Sequence, residues 1–314
     1  MLDLTNPVFH DEDKARKFLE AERWPNGVSC PFCGGLDDVK RLDRDGSMGP
    51  GWYYCNACDQ QKFTVRTDSI MERSHVPLAK WAMAFRLFAA SKKGVSSKQL
   101  QRMLGVSYKT AWFIGHRIRE ACKAVGAAPL GGKGKIIESD ETFVGGKKKN
   151  VHRGKPEPKK HAVHALVERG GEVRASHVPD VTAKTLRDKL VTQASRKSKL
   201  HTDDALTNLS LGKDFVEHKT VVHSQDEYFI DGVGVQSAEA FFAILKRGIT
   251  GSFHSISEQH LQRYVDEFAF RWNTRASLGI EDVERARRLV RAAVGKRLTY
   301  RPTDERTEPG QADA

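Results

Sequence analysis

The sequence predicts a multidomain α+β protein: a cysteine-built ribbon, then an all-helical segment, then a mixed sheet flanked by helices. Three observations predict it. Two Cys-x-x-Cys pairs, Cys30/Cys33 and Cys55/Cys58, lie near the start of the 314-residue chain. Between residues 76 and 125 apolar residues recur at helical spacing. Beyond residue 134 the pattern becomes that of short strands with helices interleaved, which a mixed layer architecture requires.

A short amphipathic helix is expected over 11–22, with Asp11 as its cap and Ala15, Phe18 and Leu19 as its apolar stripe. The ribbon follows at roughly 26–66. Each cysteine pair suits a tight knuckle, and four thiolates close a tetrahedron around one zinc ion. The 21 residues between Cys33 and Cys55 suffice for a hairpin that brings the knuckles together. Trp52, Tyr53, Tyr54 and Phe63 are the expected ribbon core.

Three helices are expected next. Trp81, Phe85 and Leu87 lie in the first, Ser96 or Ser97 caps the second, and Ser107 caps the third, after a turn at Gly105-Val106. Short helix, glycine turn and capped helix form the helix-turn-helix pattern, whose second helix meets base edges with its first residues. Lys98, Arg102, Lys109 and Arg117 are the candidate DNA contacts here. After the linker Gly131-Gly132-Lys133-Gly134, strands are expected over 136–144, 161–168, 173–178, 199–203 and 215–222, and helices over 182–194, 236–248 and 257–272. The expected domains are 1–72 (helix and ribbon), 73–128 (helix-turn-helix), 134–300 (mixed α/β) and a polar, disordered tail at 301–314.

The net charge of +12 points to a polyanionic partner, and the charge comes in blocks. Ser74–Val125 carries ten Lys/Arg against Glu120 alone, and Gly145–Lys160 carries seven, Lys147, Lys148 and Lys149 among them, against Glu157. Double-stranded DNA is therefore the expected partner. Cys122 reads as a small buried residue, and nothing suggests a disulfide framework. The start Met1-Leu2-Asp3-Leu4 shows no signal peptide and no stretch approaches a membrane span, so a cytoplasmic, nucleoid-associated protein is expected.

Acids at strand ends in a basic protein need an explanation, because bare carboxylates repel phosphate. Hard divalent cations held by the acids resolve this, and magnesium or manganese suits oxygen ligands. Asp140 interrupts an apolar strand, Asp203 ends another 62 residues on, and Glu239 follows after 35 more near the start of a helix. Lys246 lies two turns further along that helix, beside Arg247, and both are candidates for the DNA backbone. His254 is a further candidate phosphate contact, Arg271 and Arg275 are phosphate contacts or plain surface charges, and Tyr264, Phe268, Phe270 and Trp272 read as core.

These residues carry a resemblance. Cys30-Pro31-Phe32-Cys33-Gly34 with Tyr54-Cys55-Asn56-Ala57-Cys58, Asp140-Glu141-Thr142-Phe143-Val144-Gly145-Gly146-Lys147, Thr202-Asp203, Glu239 running to Lys246-Arg247-Gly248, and Tyr264 through Arg275 resemble the DDE-type insertion-sequence transposases of the zinc-ribbon kind with an ISXO-like catalytic domain. The resemblance implies a ribonuclease-H-like catalytic fold, cleavage at element ends, strand transfer, and action as a homo-oligomer on DNA. It departs at Gln236, where the family pattern has an Asn often counted as the third catalytic residue, and at Gly234-Val235, where it has a His. Glu239 is taken as the third acid, with Gln236 on the same helix face three residues earlier. The rival readings are a catalytically decayed transposase acting as a DNA-binding regulator, and a nuclease that cuts without joining.

Overall fold

The computed structural model describes residues 3–42, 48–58, 61–146, 159–203, 211–221 and 232–299. Helix α1 (Glu12–Arg23) starts where the Asp11 side chain accepts from the Lys14 N–H, and it buries Ala15 and Leu19. Strands β1 (Val39–Arg41), β2 (Tyr53–Cys55) and β3 (Gln61–Phe63) form the antiparallel ribbon sheet, with Tyr53 opposite Phe63. Trp24 meets both rings edge-on, at centroid distances of 5.5 and 6.0 Å. Of the aromatics expected in the ribbon core, Tyr53 and Phe63 are buried, while Trp52 and Tyr54 are half-buried.

Helices α2 (Leu78–Ala90), α3 (Ser97–Leu104) and α4 (Tyr108–Cys122) follow. The Ser96 side chain caps α3 through the Gln99 N–H, and that of Ser107 caps α4 through the Thr110 N–H. Gly105 ends α3 at φ 59°, a left-handed conformation that glycine adopts without Cβ strain. Ribbon and helices share one core: Leu19, Tyr53, Cys55, Phe63, Trp81 and Ile114 belong to a single packed cluster.

The C-terminal helix α8 (Asp282–Arg291) joins that cluster through Ala286, Leu289 and Val290. The sequence reading groups these residues with the α/β domain. Their spacing says that one helix face is buried, and says nothing of the surface that buries it.

The second sheet contains β4 (Ile136–Gly145), β5 (Lys160–Glu168), β6 (Val173–Val178), β7 (Lys199–Asp203) and β8 (Glu217–Val221), in the order β6-β5-β4-β7-β8. The first three form an antiparallel meander, and β7 and β8 run parallel to β4. On one face α5 (Ala183–Gln193) packs Leu186 and Leu190 over Ile137, Leu166 and Leu200. On the other face α6 (Gln236–Gly248) and α7 (Glu258–Asn273) pack Phe241, Leu245, Val265 and Phe268 over Val163, Ala165 and Val167. No helix among the described residues is long and apolar enough to cross a membrane.

A buried ionic network joins the two halves. Arg119 of α4 donates from Nε to Glu267 Oε2 of α7 at 2.7 Å, and both side chains are 1% exposed. Arg271 donates to Glu267 Oε1 at 2.6 Å and to the Phe88 carbonyl of α2 at 2.6 Å. The Arg119 guanidinium also lies 4.0 Å from the Tyr264 ring centroid. Removing one partner of such a network strands buried charge, which typically costs about 3–5 kcal/mol. Glu267→Ala is therefore expected to lower stability by that amount in chemical denaturation. A loss below about 1 kcal/mol would show that the network is not what joins the halves.

Candidate active site

β4 is the central strand, so residues in its middle emerge beneath packed helices. Side chains two apart share a face. Asp140 lies opposite Ala165, and Glu138 opposite Val167, on the face covered by α6 and α7. Ile137 belongs to the core beneath α5, and Ser139 and Glu141 follow it on that face. β7 runs alongside with Glu138 opposite His201 and Ser139 opposite Thr202. Asp203, two residues past His201, therefore leaves the same face as Asp140. Glu239 sits in the first turn of α6, above this face.

Electrostatics joins these groups. The Asp140 carboxyl is pushed up to about 7, first by burial and then by the charge of Asp203, with smaller contributions from Glu141 and Glu239. The Glu141 N–H, donating to Asp140 Oδ1 at 2.7 Å, works in the opposite direction. Glu141 is itself pushed up to about 7, by burial and then by Asp203. Asp203 and Glu239 thus both act on Asp140, each from a separate element. Burial with mutual repulsion is the environment a divalent cation relieves, and hard oxygen donors fit magnesium or manganese. Gln236 opens α6 and is half-buried, while Lys246 and Arg247 are exposed in its last turn, about 10 Å along the axis from Glu239. Arg247 Nε donates to the Ala243 carbonyl at 3.0 Å.

The four ribbon thiols converge. Cys30 Sγ lies 3.9 Å from Cys58 Sγ, and Cys33 Sγ 3.8 Å from Cys55 Sγ. A zinc tetrahedron with Zn–S of about 2.3 Å has S···S edges of about 3.8 Å, so the residues fit structural zinc. Among the described residues, groups whose ligand atoms all lie within 4.8 Å of one another are these thiols and a His161–His177–Glu258 cluster. Asp140, Asp203 and Glu239 are spaced more widely than that. The histidine cluster escapes sequence reading because its members come from β5, β6 and α7. Lys159 donates to its Glu258 at 3.0 Å.

Of the candidate DNA contacts, Lys98, Arg102 and Lys109 are exposed on α3 and α4, and Lys98 Nζ lies 4.8 Å from the Tyr108 ring centroid. Lys147, Lys148 and Lys149 lie outside the described residues. Arg117 is a correction: it is buried, donates to the Ile70 and Glu72 carbonyls at 2.7 and 3.0 Å, and stacks on Phe113. Its place on a helix with a basic start suggested an outward direction, but it lies more than two turns in, on the face turned to the core. Arg271 is neither a phosphate contact nor a plain surface charge, being held by Glu267 and Phe88. Arg275 packs on Trp272 and donates to the Gly171 carbonyl at 3.0 Å. His254 is exposed, with φ at 62°.

Residues 129–273 match the ISXO2-like transposase domain family, and residues 10–61 match the transposase zinc-ribbon domain family. An uncharacterized protein in transposable element ISH50 of Halobacterium salinarum is 27% identical over 281 residues, covering 84% of this chain and 92% of that protein. Among solved structures, a Mos1 transposase paired-end complex with left transposon end shares 14% identity over 67% of this chain and 74% of that one, with a TM-score of 0.28. A pre-cleavage Mos1 transpososome gives 13% identity, the same coverage and the same TM-score. Overlap at that level is too slight to argue from.

The raised Asp140 carboxyl makes stability depend on pH. Its folded value of about 7 lies above the ordinary 3.8, so between these values the folded chain holds the proton more tightly than the unfolded chain. The stability this contributes is complete below about pH 4 and is lost as pH rises through 7. Protein carrying its ribbon metal, without added magnesium or manganese, is expected to melt lower at pH 8 than at pH 5. Asp140→Asn should flatten that slope and melt above wild type at pH 8. An identical wild-type-to-variant difference at both pH values would contradict the coupling.

Proposed function

Because this chain belongs to the zinc-ribbon transposases with an ISXO2-like domain, we propose that it cuts DNA at the ends of an insertion sequence and joins the freed 3′-hydroxyl to target DNA. One observation carries the reading: Asp140 and Asp203 leave one face of adjacent parallel strands, Glu239 sits in the helix above, and all three charges act on Asp140's carboxyl or are that carboxyl. The strand order, with an antiparallel meander followed by two strands parallel to its first, supports a ribonuclease-H-like fold. The α3–turn–α4 unit, with its two serine caps and left-handed glycine, supports a helix-turn-helix.

Asp140, Asp203 and Glu239 are the residues that would hold catalytic magnesium or manganese. Such ions supply charge neutralisation at the attacking and leaving oxygens when bound. The chain's own work is positioning. β4 and β7 fix two half-buried carboxylates on one face under α6, which carries the exposed Glu239. Lys246 and Arg247, exposed at the far end of α6, are the candidate cations for a phosphate backbone crossing the site. Lys98, Arg102 and Lys109 supply the exposed cations of the end-reading surface, together with the basic segment that begins at Lys147. Gln236, three residues before Glu239 on α6, would add a carbonyl oxygen without charge.

Action on two paired ends implies a homo-oligomer on DNA, in the cytoplasm with the nucleoid. A second reading rests on Gln236: a decayed copy that binds ends and regulates without cutting. One assay separates the two. Wild type with magnesium or manganese is expected to nick labelled element ends and transfer them, whereas Asp140→Asn and Asp203→Asn lose cleavage by at least about a thousandfold and keep end affinity. Cleavage retained in either variant would overturn the acid assignment, and end binding without cleavage in wild type would favour the regulator.

A further inference from the structure

Each element that carries one of the three acids also carries, two residues earlier, a member of one hydrogen-bond network. Glu138 precedes Asp140 on β4, His201 precedes Asp203 on β7, and Ser237 precedes Glu239 on α6. Glu138 is fully buried. Its Oε2 accepts from the Ser237 and Ala238 N–H groups at 2.6 and 3.2 Å, and its Oε1 accepts from Ser237 Oγ at 3.1 Å. Arg169, just past β5, donates from Nε to the same Oε1 at 2.7 Å. The rest of its guanidinium donates to the Gly232 and Gly234 carbonyls at 2.6 and 2.9 Å and lies 3.4 Å from His201 Nδ1.

We propose that Glu138 and Arg169 are positioning residues that set the separation of the three acids. The inference rests on the site reading above. α6 has no side-chain cap of its own, so the strand carboxylate fills that place, where the helix end favours negative charge. The apolar face of α6 holds it to the sheet without fixing rotation or slide, since hydrophobic contact is non-directional. Directional bonds to Ser237 and Ala238 fix both, one half-turn before Glu239. Arg169 extends the same constraint to the loop entering α6 and to β7. A helix cap serving α6 alone needs no bond that reaches β7.

The test measures manganese binding, by loss of the free-ion electron paramagnetic resonance signal, alongside kcat and KM for end nicking. It compares wild type, Glu138→Gln, Arg169→Lys and Asp140→Asn. Arg169 is 28% exposed at its side chain, so its variant is the one expected to fold without difficulty. Both lock variants are expected to bind manganese about tenfold more weakly and to lose kcat by about ten- to a hundredfold, with KM for DNA within about twofold. Wild-type manganese affinity and kcat in both variants would overturn the proposal. So would a loss confined to Glu138→Gln that tracks its unfolded fraction while Arg169→Lys behaves as wild type. If Asp140→Asn itself binds manganese and nicks normally, the site reading fails. If Asp140→Asn loses both and the lock variants lose neither, the lock alone fails.

Discussion

Carboxylates gathered on one face of a sheet repel one another, and much of this fold holds them there nonetheless. Asp140 and Asp203 come from adjacent parallel strands, so backbone hydrogen bonds fix their separation before any side-chain contact forms. Glu239 arrives from a helix whose buried Phe241, Phe242 and Leu245 anchor it on the same sheet. After burial, that repulsion is the next cause of the raised Asp140 carboxyl. A site that is strained in this way when bare is one that a polycationic ligand relieves, which is the logic of activity bought against stability.

The same constraint gives meaning to the rest of the molecule. On the function proposed above, the acids gain from being held at a set distance from the α3–α4 surface. The Arg119–Glu267–Arg271 network ties α4 and α2 to α7, whose Val265 and Phe268 pack on the sheet that carries the acids. α8 returns from the α/β half to the ribbon-and-helix core. Ribbon, helices and sheet are therefore joined through buried side chains.

What the sequence reveals and what it hides divide along a physical line. Local chemistry is legible. Cysteine spacing foretells the thiol cluster, Ser96 and Ser107 foretell helix starts, and β7 is expected at its observed residues. Asp140 stands out as a charge in an apolar strand and Asp203 as the acid that ends another, and strand pairing supplies the proximity that spacing alone leaves open. Contacts made with distant backbone are illegible. Arg117 and Arg271 look like surface cations because their carbonyl partners lie 47 and 183 residues away in the chain. Glu138 hides in plain view: it alternates with Asp140 on one strand, and nothing local separates the acid that faces a helix terminus from the acid that faces the site.

The most direct measurement is anomalous scattering from crystals of the protein with element-end DNA and manganese. Manganese peaks bounded by Asp140, Asp203 and Glu239 are expected beneath the first turn of α6. Manganese peaks elsewhere, with those three side chains bare, would contradict that expectation.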